Sequence, residues 1–559
     1  MKKQRNPLLE TLAVSLLACL AVVTVCSCGD DNEAFSPQNH TYDLAITNGR
    51  VIDPFTGTDQ VATVAIANGK IAAVSSEPGK GSAIAGQAAR VIDARGLVVS
   101  PGFINTHTHE GDIQESMKVY VKDGITTWIG GNCGFSPSCS AGSKCGECPG
   151  YPIRNFFQTV EHEGLYNNFA SLTGLNSLRC LVGLDYKTGA SAEQINQMVD
   201  MLASDLADGS LGISFGAYYH PGCTYAEMRA TAVESAAHGG MAASHIRDNL
   251  YASGGKNVMN EQMIDEAIQT AREAGLPYIV SHITDVTYGL PATQLLIDKV
   301  SNAIYDEGLH MGADVIGSNS FPNDFFTIVR YGTVPVEMLM GLAGVKPSDF
   351  QVTEDVYVNG ELVLKAYDSP KSVEQVRALI DAIRAGQAKS FGVLAHIIRP
   401  ANTMLALAQP FVFVGNDGYI NKDPVTGKVS GHPRAAGSMA RFLGHWTRDM
   451  QVMGLMQALY KVTAAPARWF GLESKGRLAQ GYDADLVVFN PDTIIDTAVC
   501  EPGHSDPNTF LNPPAGISYV IVNGQVAVEN GELTGAKKGK VIRRTWAIPG
   551  TAPEESANL

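Results

Sequence analysis

The middle of this 559-residue chain is built from short apolar segments that alternate with stretches of helical periodicity. Apolar runs of four to eight residues followed by helical patterns are typical of βα units, whose strands pair in a parallel sheet. Strands are predicted near 98–106, 125–131, 168–173, 211–216, 240–244, 278–281, 309–316 and 411–416. Eight βα units predict an α/β fold, a (β/α)8 TIM-like barrel.

Helical patterns fill the spaces between these segments, for example at Ala192 to Ala207, Tyr225 to His238 and Asn260 to Ala274. The space between strands 7 and 8 is too long for one helix. It contains an alternating stretch at 352–364, with the turn dipeptide Asn359-Gly360, and a helical pattern at 372–385. We therefore predict an insertion at about 333–392.

Short alternating strands occupy residues 42–92 and return at 485–490 and 519–528. The dipeptides Asn48-Gly49 and Asn68-Gly69 favour two-residue hairpin turns in the first region. Similar segments on both sides of a large middle predict one small β-sandwich domain assembled from both termini. Its expected bounds are 42–96 and 476–546, with the barrel at 97–475.

The first 28 residues have the pattern of a targeting signal. A basic start precedes an apolar run at 11–25, and ValCysSerCys at 25–28 resembles a bacterial lipobox with Cys28 as the acylated residue. An ordinary secretory signal cut nearby is the alternative. Residues 29–41 are expected to form a polar tether. We expect a protein that is lipid-anchored to the bacterial cell envelope, in the periplasm or facing the surface.

Composition excludes some functions and leaves others open. The chain has 45% hydrophobic residues, 17% charged residues and a net charge of −15, and its body contains no basic run, which argues against nucleic-acid binding. Three of the ten cysteines, Cys139, Cys145 and Cys148, cluster in a loop rich in small residues. In an oxidising compartment they favour a disulfide, whereas a zinc knuckle would need a fourth ligand.

Side chains that bind metals follow the predicted strands at their carboxyl ends, where the active sites of such barrels lie. They are His107 and His109 after strand 1, Cys133 after strand 2, His245 after strand 5, His282 after strand 6, and Asp417 after strand 8. Each alone is compatible with a structural role, but their joint placement at one end of a barrel predicts a metal site. Residues i and i+2 of a strand share a face, so the two histidines of HisThrHis are expected to point together.

Seven segments together resemble the amidohydrolase superfamily, and specifically its N-acyl-D-amino-acid deacylase (D-aminoacylase) branch. They are HisThrHis (107–109), GlyIleThrThrTrpIleGlyGlyAsnCysGly (124–134), AlaSerHisIleArgAsp (243–248), ValSerHis (280–282), GlyAsnAspGly (415–418), HisProArgAlaAlaGly (432–437) and LysGlyArgLeuAlaGlnGlyTyrAspAlaAspLeuValValPhe (475–489). The resemblance covers roughly residues 42–545, and AsnCysGly is its most specific mark.

The resemblance implies a zinc-dependent amide hydrolase that acts on small acylated amino acids. Cys133, His245 and His282 would hold the tighter zinc ion, and His107, His109 and Asp417 would flank a second, weaker position. Asp417 would also move the proton from the attacking water to the departing amine. Arg434, in HisProArg, matches the arginine that binds the substrate carboxylate in the family, although an ordinary salt bridge is the alternative.

Three positions depart from the family pattern, all on the substrate side. Thr284 stands where a lysine is common, Leu175 stands where a histidine is usual, and Asp314 is not followed by the usual TyrProTyr-like stretch. Hydrolysis is therefore better supported than the identity of the substrate. A different amide, such as a cyclic amide, a dipeptide or an acylated amine, remains an alternative, and so does a surface lipoprotein that binds a ligand without turnover.

Overall fold

The protein is described by a computed structural model that covers residues 40–137, 150–247, 259–284, 290–318, 320–324, 346–499 and 506–549. The predicted targeting signal with Cys28, most of the predicted tether and the three clustered cysteines Cys139, Cys145 and Cys148 lie outside these residues. Within the described ranges, no helix is both long and apolar enough to span a membrane.

Eight parallel strands form the barrel predicted from the sequence. They are β1 (Phe103–Asn105), β2 (Ile125–Gly130), β3 (Asn168–Ser171), β4 (Gly212–Gly216), β5 (Met241–His245), β6 (Tyr278–Val280), β7 (Met311–Ile316) and β8 (Val412–Gly415). Strands β1 to β3 pair in one arc, and β4 to β8 pair in a second arc that begins at Thr173–Gly174, just after β3. The arcs meet between β8 and β1, where the backbone N–H groups of Asn416 and Asp417 donate to the carbonyl oxygen of His107.

Helices follow the strands in the expected alternation, and the three helices named from periodicity are confirmed within one residue at each end. They span Ala192–Ala207, Tyr225–Ala237 and Met259–Ala274. Ser191 and Thr224 begin the first two with complete capping boxes, which satisfy backbone N–H groups of the first turn. The other helices are Ile113–Lys122, Ile153–Glu163, Leu175–Leu181, Leu290–Tyr305, Pro400–Leu407, Arg434–Arg441, the π-helix Phe442–Asp449, Leu455–Val462 and Ala464–Trp469.

A nine-stranded sheet joins the two ends of the chain. Its strands are Tyr42–Asp53, Thr58–Ala67, Lys70–Ser75, Ala88–Asp93, Val98–Pro101, Leu486–Phe489, Ile517–Val522, Gln525–Glu529 and Glu532–Leu533. The two groups meet where Val98–Pro101 pairs with Leu486–Phe489. This sheet, with the short helix Pro78–Gly86 beside it, is the small β domain that the sequence predicted from both termini.

Two local predictions are corrected. The first apolar segment forms two strands rather than one, because the chain leaves the terminal sheet after Pro101 and enters the barrel at Phe103. Asn48-Gly49 is not a hairpin turn: it lies within Tyr42–Asp53, where the pairing register shifts between Ile46 and Gly49. Asn48 has a φ of 59°, so its left-handed backbone makes a bulge and the strand continues. The Asn68-Gly69 hairpin is confirmed.

The insertion between β7 and β8 has its own small core. The hairpin Val356–Val358 and Glu361–Leu364 turns at Asn359-Gly360, and the helix Val373–Arg384 follows, as predicted. Phe321–Asp324, Gly392–Ala395 and Phe350–Val352 form a three-stranded sheet, so the added structure begins before residue 333. Its buried residues include Phe350, Leu364, Leu379 and Ile380.

Candidate metal centre

The six predicted metal-binding side chains come together at the carboxyl end of the barrel. They form two groups that share Cys133: one consists of Cys133, His245 and His282, and the other of His107, His109, Cys133 and Asp417. Within each group the possible ligand atoms lie within 4.8 Å of one another. The histidine pair lies just past the end of β1 rather than on the strand.

The first group has the spacing of a tetrahedral zinc site. Cys133 Sγ lies 3.8 Å from His245 Nδ1 and 3.5 Å from His282 Nε2. Zinc bonds of about 2.3 Å to sulfur and about 2.0 Å to nitrogen, at a tetrahedral angle, place these atoms roughly 3.6 Å apart. The donor set therefore fits a zinc ion, with a coordination position left for water or substrate.

The second group converges on one carboxylate oxygen. Asp417 Oδ1 lies 2.9 Å from His109 Nε2 and 3.4 Å from His107 Nε2. His107 Nε2 is also 3.4 Å from Cys133 Sγ. One thiol, one carboxylate and two imidazoles thus face a common point, an arrangement that suits a second cation beside the first.

Three of these residues, Cys133, His282 and Asp417, adopt left-handed backbone conformations, with φ values of 53°, 34° and 44°. Such conformations are uncommon outside glycine, although asparagine, aspartate and histidine adopt them more often than other residues, and they persist where the surrounding structure supports them. Neighbouring glycines make room: a Cβ at Gly216 would collide with the Cys133 carbonyl, and one at Gly415 with the His107 side chain. The strand ends therefore force the ligands inward at an energetic cost.

The pKa values of the same residues are shifted by burial and by neighbouring charges. Burial would raise the pKa of the Cys133 thiol, but the neighbouring histidines, His107 first, hold it well below its usual value. Burial and the nearby His282 lower the pKa of His245, which favours the neutral imidazole that a metal requires. Burial would also raise the pKa of Asp417, but Arg434 and the two histidines hold it well below its ordinary range.

The histidines of the second group shift the other way: against the effect of burial, Asp417 and Cys133 raise the pKa of His109 to about 9, and Asp314 and Cys133 raise the pKa of His107 well above its usual value. A cation at the second position would therefore have to displace protons from these two imidazoles.

Arg434 lies next to this pair of metal positions. Its Nη2 atom is 2.8 Å from Asp417 Oδ2, whereas its buried Nε and Nη1 atoms have no hydrogen-bond partner among the described residues. Arg434 also lines a cavity of about 250 Å³, together with Ser318, Ser438 and Arg441. The predicted substrate-binding arginine is therefore adjacent to the metal ligands and has donors to spare.

Sequence reasoning did not assign a role to three side chains at this site. Asp314, in β7, is 3.0 Å from His107 Nδ1 and accepts a hydrogen bond from the His282 backbone N–H. The rings of Tyr218 and Tyr219 pack against His245, with centroids 4.7 Å and 4.9 Å away. Asp314 had a visible signal, since it is an acidic residue inside an otherwise apolar strand. The tyrosines lie in a loop and had none.

Two positions that depart from the family pattern, Thr284 and Leu175, are buried. Thr284 is buried two residues beyond His282. Leu175 is buried as the first residue of its helix and belongs to the main apolar core. Neither side chain carries a charge. This site therefore lacks the positive charge of a lysine and the polar ring of a histidine at these two positions.

Comparison with known proteins identifies the family. An amidohydrolase family model matches residues 374–528. N-acyl-D-glutamate deacylase from Alcaligenes xylosoxydans xylosoxydans is 30% identical over 534 residues, which cover 92% of this chain and 99% of that protein. The chain belongs to the amidohydrolase family. It falls in the branch of the D-aminoacylases, as the motifs indicated.

Two solved structures of related amidohydrolases that were studied with bound metals have the same fold as this chain. A D-aminoacylase studied for its binuclear metal centre, with one-metal activation and second-metal attenuation, matches with a TM-score of 0.71 at 25% identity. N-acyl-D-glutamate deacylase from Bordetella bronchiseptica, in complex with zinc and a phosphonate that mimics the tetrahedral intermediate, matches with a TM-score of 0.70 at 25% identity. Each match covers 90% of this chain and 100% of the other. This amidohydrolase is a metal-dependent hydrolase of C–N bonds other than peptide bonds.

Proposed function

We propose that this amidohydrolase removes the acyl group from N-acyl-D-amino acids with the help of zinc. The observation that carries the proposal is the convergence of six metal-binding side chains on two adjacent points, with Arg434 beside them. Relatives at 28% and 30% identity are a D-aminoacylase and an N-acyl-D-glutamate deacylase, which supports the substrate class.

Cys133, His245 and His282 would hold the tighter zinc ion. His107, His109 and Asp417, with the shared Cys133, would hold a weaker second ion. The second group contains an ion pair between Asp417 and Arg434 that competes with a cation for the carboxylate, which is a reason for weaker binding. When bound, zinc acts as a Lewis acid that polarises the amide carbonyl and acidifies water.

Asp417 would carry the proton. Its Oδ1 atom faces the two histidines, and Arg434 holds its Oδ2 atom, so the carboxylate is fixed in direction. Arg434 holds the pKa of Asp417 low against the effect of burial, so the carboxylate is ionised, which is the form that a proton acceptor needs. It then donates that proton to the amine nitrogen, because an amine leaves far more readily than its anion.

Arg434 would bind the carboxylate of the substrate. A guanidinium that already donates to Asp417 through Nη2 has Nε and Nη1 available for a second anion. These donors are buried. In a buried site a charge-assisted hydrogen bond is strong, and a donor without a partner lowers stability.

A different amide is the second candidate, and Thr284 is the observation that favours it. A buried threonine in place of a lysine removes one positive charge from the substrate side of the site. A substrate whose polar group is neutral, such as a cyclic amide, would suit that change.

For location, we propose lipid anchoring to the bacterial envelope through Cys28, on the strength of the lipobox-like sequence. Cells grown with radioactive palmitate should label the wild-type chain but not Cys28→Ser. A wild-type chain that stays unlabelled and is released in soluble form would reject the anchor.

Hydrolysis of a matched panel tests the proposed reaction. The zinc-loaded chain lacking residues 1–28 is incubated with N-acetyl-D- and N-acetyl-L-amino acids, and amine release is measured. We expect release from the D series, lost in Cys133→Ala and kept in Cys223→Ala, which removes another buried free cysteine. Equal release from both series would reject the stereochemical assignment. Zinc binding without release from any member would favour another amide.

A further inference from the structure

Asp314 is a buried carboxylate that contacts one ligand residue of each metal position without belonging to either group. It lies in β7, and it is 1% exposed. Burying a carboxylate is unfavourable unless hydrogen bonds compensate. Both oxygens have such partners: Oδ2 is 3.0 Å from His107 Nδ1, and Oδ1 accepts the backbone N–H of His282 at 2.7 Å.

The contact with His107 determines which ring nitrogen can bind a metal. A carboxylate accepts hydrogen bonds, so in the neutral imidazole that binds a metal Nδ1 carries the hydrogen and Nε2 keeps its lone pair. Nε2 is the atom that faces Cys133 Sγ and Asp417 Oδ1, each at 3.4 Å. Asp314 thus orients the lone pair of His107 toward the second metal position.

The contact with His282 supports an unfavourable backbone. His282 has a φ of 34°, which a histidine rarely adopts. Its N–H is buried at the end of β6 and donates to Asp314. This bond helps to hold the backbone turn that brings His282 Nε2 within 3.5 Å of Cys133 Sγ, in the first metal position.

We propose that Asp314 is a positioning residue that couples the two metal positions, with one oxygen directed to each. The inference rests on the metal ligands named under Proposed function. Its consequence is that a single change at Asp314 weakens zinc binding in both groups, although Asp314 itself binds no metal.

Asp314→Asn tests this coupling with almost no change of shape. An amide has one acceptor and one donor end, so it cannot accept from both partners. If its oxygen stays on the His282 N–H, its NH2 group faces His107 Nδ1 and favours the tautomer whose Nε2 carries the hydrogen. If the amide flips, the NH2 group opposes the His282 N–H and disturbs the turn.

The control is Asp205→Asn. Asp205 is equally buried, and its two oxygens also join separate elements by accepting from the Ile153 N–H and the Thr173 hydroxyl. None of these groups belongs to the metal-binding clusters. Asp205→Asn should therefore lower stability without lowering the affinity for zinc.

Zinc affinity and stoichiometry are measured by competition with a chromophoric chelator, and the absorption spectrum of the cobalt-substituted protein reports ligand geometry. We expect Asp314→Asn to bind zinc about 10- to 100-fold more weakly, the usual range for partners of metal ligands, with an altered cobalt spectrum. Asp314→Ser, whose short hydroxyl cannot reach both partners, should weaken binding similarly and serves if the asparagine variant does not fold.

Unchanged zinc affinity in a folded Asp314 variant would overturn the proposal, as would an equal loss in Asp205→Asn. A wild-type chain that binds no zinc would reject the ligand assignment and this inference together. Because the assay measures binding only, a wild type that binds zinc but hydrolyses no N-acyl-D-amino acid would reject the proposed substrate and leave the role of Asp314 standing.

Discussion

Two buried polar clusters, one at each end of the barrel strands, differ in how many of their polar groups have hydrogen-bond partners. The seam cluster, which consists of Lys475, Asp483, Asp485, Asn168 and Asn523, joins the terminal sheet to the start of β3. Asp485 Oδ2 accepts from Lys475 Nζ at 2.6 Å and from Asn168 Nδ2 at 2.9 Å, and Oδ1 accepts from the Asn523 N–H at 2.7 Å. Each oxygen of this carboxylate has a partner.

The metal cluster, which consists of the six predicted ligands and Arg434, is incomplete by comparison. Three of its residues have left-handed backbones, and two nitrogens of Arg434 have no partner among the described residues. The ligand atoms of Cys133 and Asp417 lie within 4.8 Å of each other, and the pKa values of both groups are held well below their usual range. A cluster in which every polar group has a partner stabilises the fold. A cluster with unpaired groups can instead bind a cation and a substrate anion. Burial of polar groups is similar in both, so the difference lies in whether partners are complete.

Asp417→Asn should produce the largest effect, because it removes the proton carrier from the metal cluster. We expect kcat to fall by about 10²- to 10⁴-fold at saturating zinc. Steady-state kinetics on an N-acyl-D-amino acid measures the change, with the surface variant Asp59→Asn as control. A kcat within threefold of wild type would show that another group carries the proton.

Lys475→Met should damage the seam cluster instead. Removal of one partner from a buried ion pair leaves Asp485 and Asp483 without their main counter-charge, and we expect the free energy of unfolding to fall by about 3–5 kcal/mol. Urea denaturation measures it. Zinc affinity of the folded variant should stay at the wild-type value, and a large loss of zinc binding would contradict the separation of the two clusters.

The pH dependence of stability should reveal the seam cluster through Asp483. Burial would raise the pKa of Asp483, but Lys475, Lys70 and Ser474 hold it at about 2. Because this value is below that of the unfolded chain, the stabilisation is present above about pH 4 and is lost as the pH falls toward 2. Asp483→Asn should therefore lower the free energy of unfolding by about 2 kcal/mol at pH 7 and make little difference at pH 2. A deficit that is equal at both pH values would reject this account.

Arg434→Lys should have the smallest effect, since it keeps the charge beside Asp417 and loses only the extra donors. We expect KM for an N-acyl-D-amino acid to rise about tenfold, because an ammonium cannot replace a planar guanidinium, with a smaller change in kcat. Initial rates over a range of substrate concentrations separate the two constants. An unchanged KM would mean that the unpaired nitrogens of Arg434 do not contact the substrate.

Much of the architecture was predictable because hydrophobic periodicity is a local property. Each of the eight strands was anticipated, and the helix Ala192–Ala207 was placed at its observed limits. The errors arose where local signals were ambiguous. Asn48-Gly49 suits a left-handed bulge as well as a hairpin, and the break at Gly102 between two strands is visible only from their different pairing partners.

Within the site, the residue types that bind metals and their positions after strands were predictable, and their convergence follows from the barrel. Roles that depend on exact contact were not. Asp314 was noted only as a position of the family pattern, although it touches His107 across 207 residues of sequence. Tyr218 and Tyr219 lie beside His245 for reasons of loop conformation that no periodicity reports.

The sequence by itself determined the alternation of strands and helices, the choice of thiol, imidazole and carboxylate at the strand ends, and membership of the amidohydrolase family. Only the tertiary structure decided that Cys133 is shared by two metal positions, that Arg434 contacts Asp417 with donors remaining, and that Asp314 bridges His107 and His282. The physical reason is the separation along the sequence of the residues that interact. Propensity and periodicity act over a few residues, whereas these contacts arise only when closure of the barrel brings distant strand ends to one face.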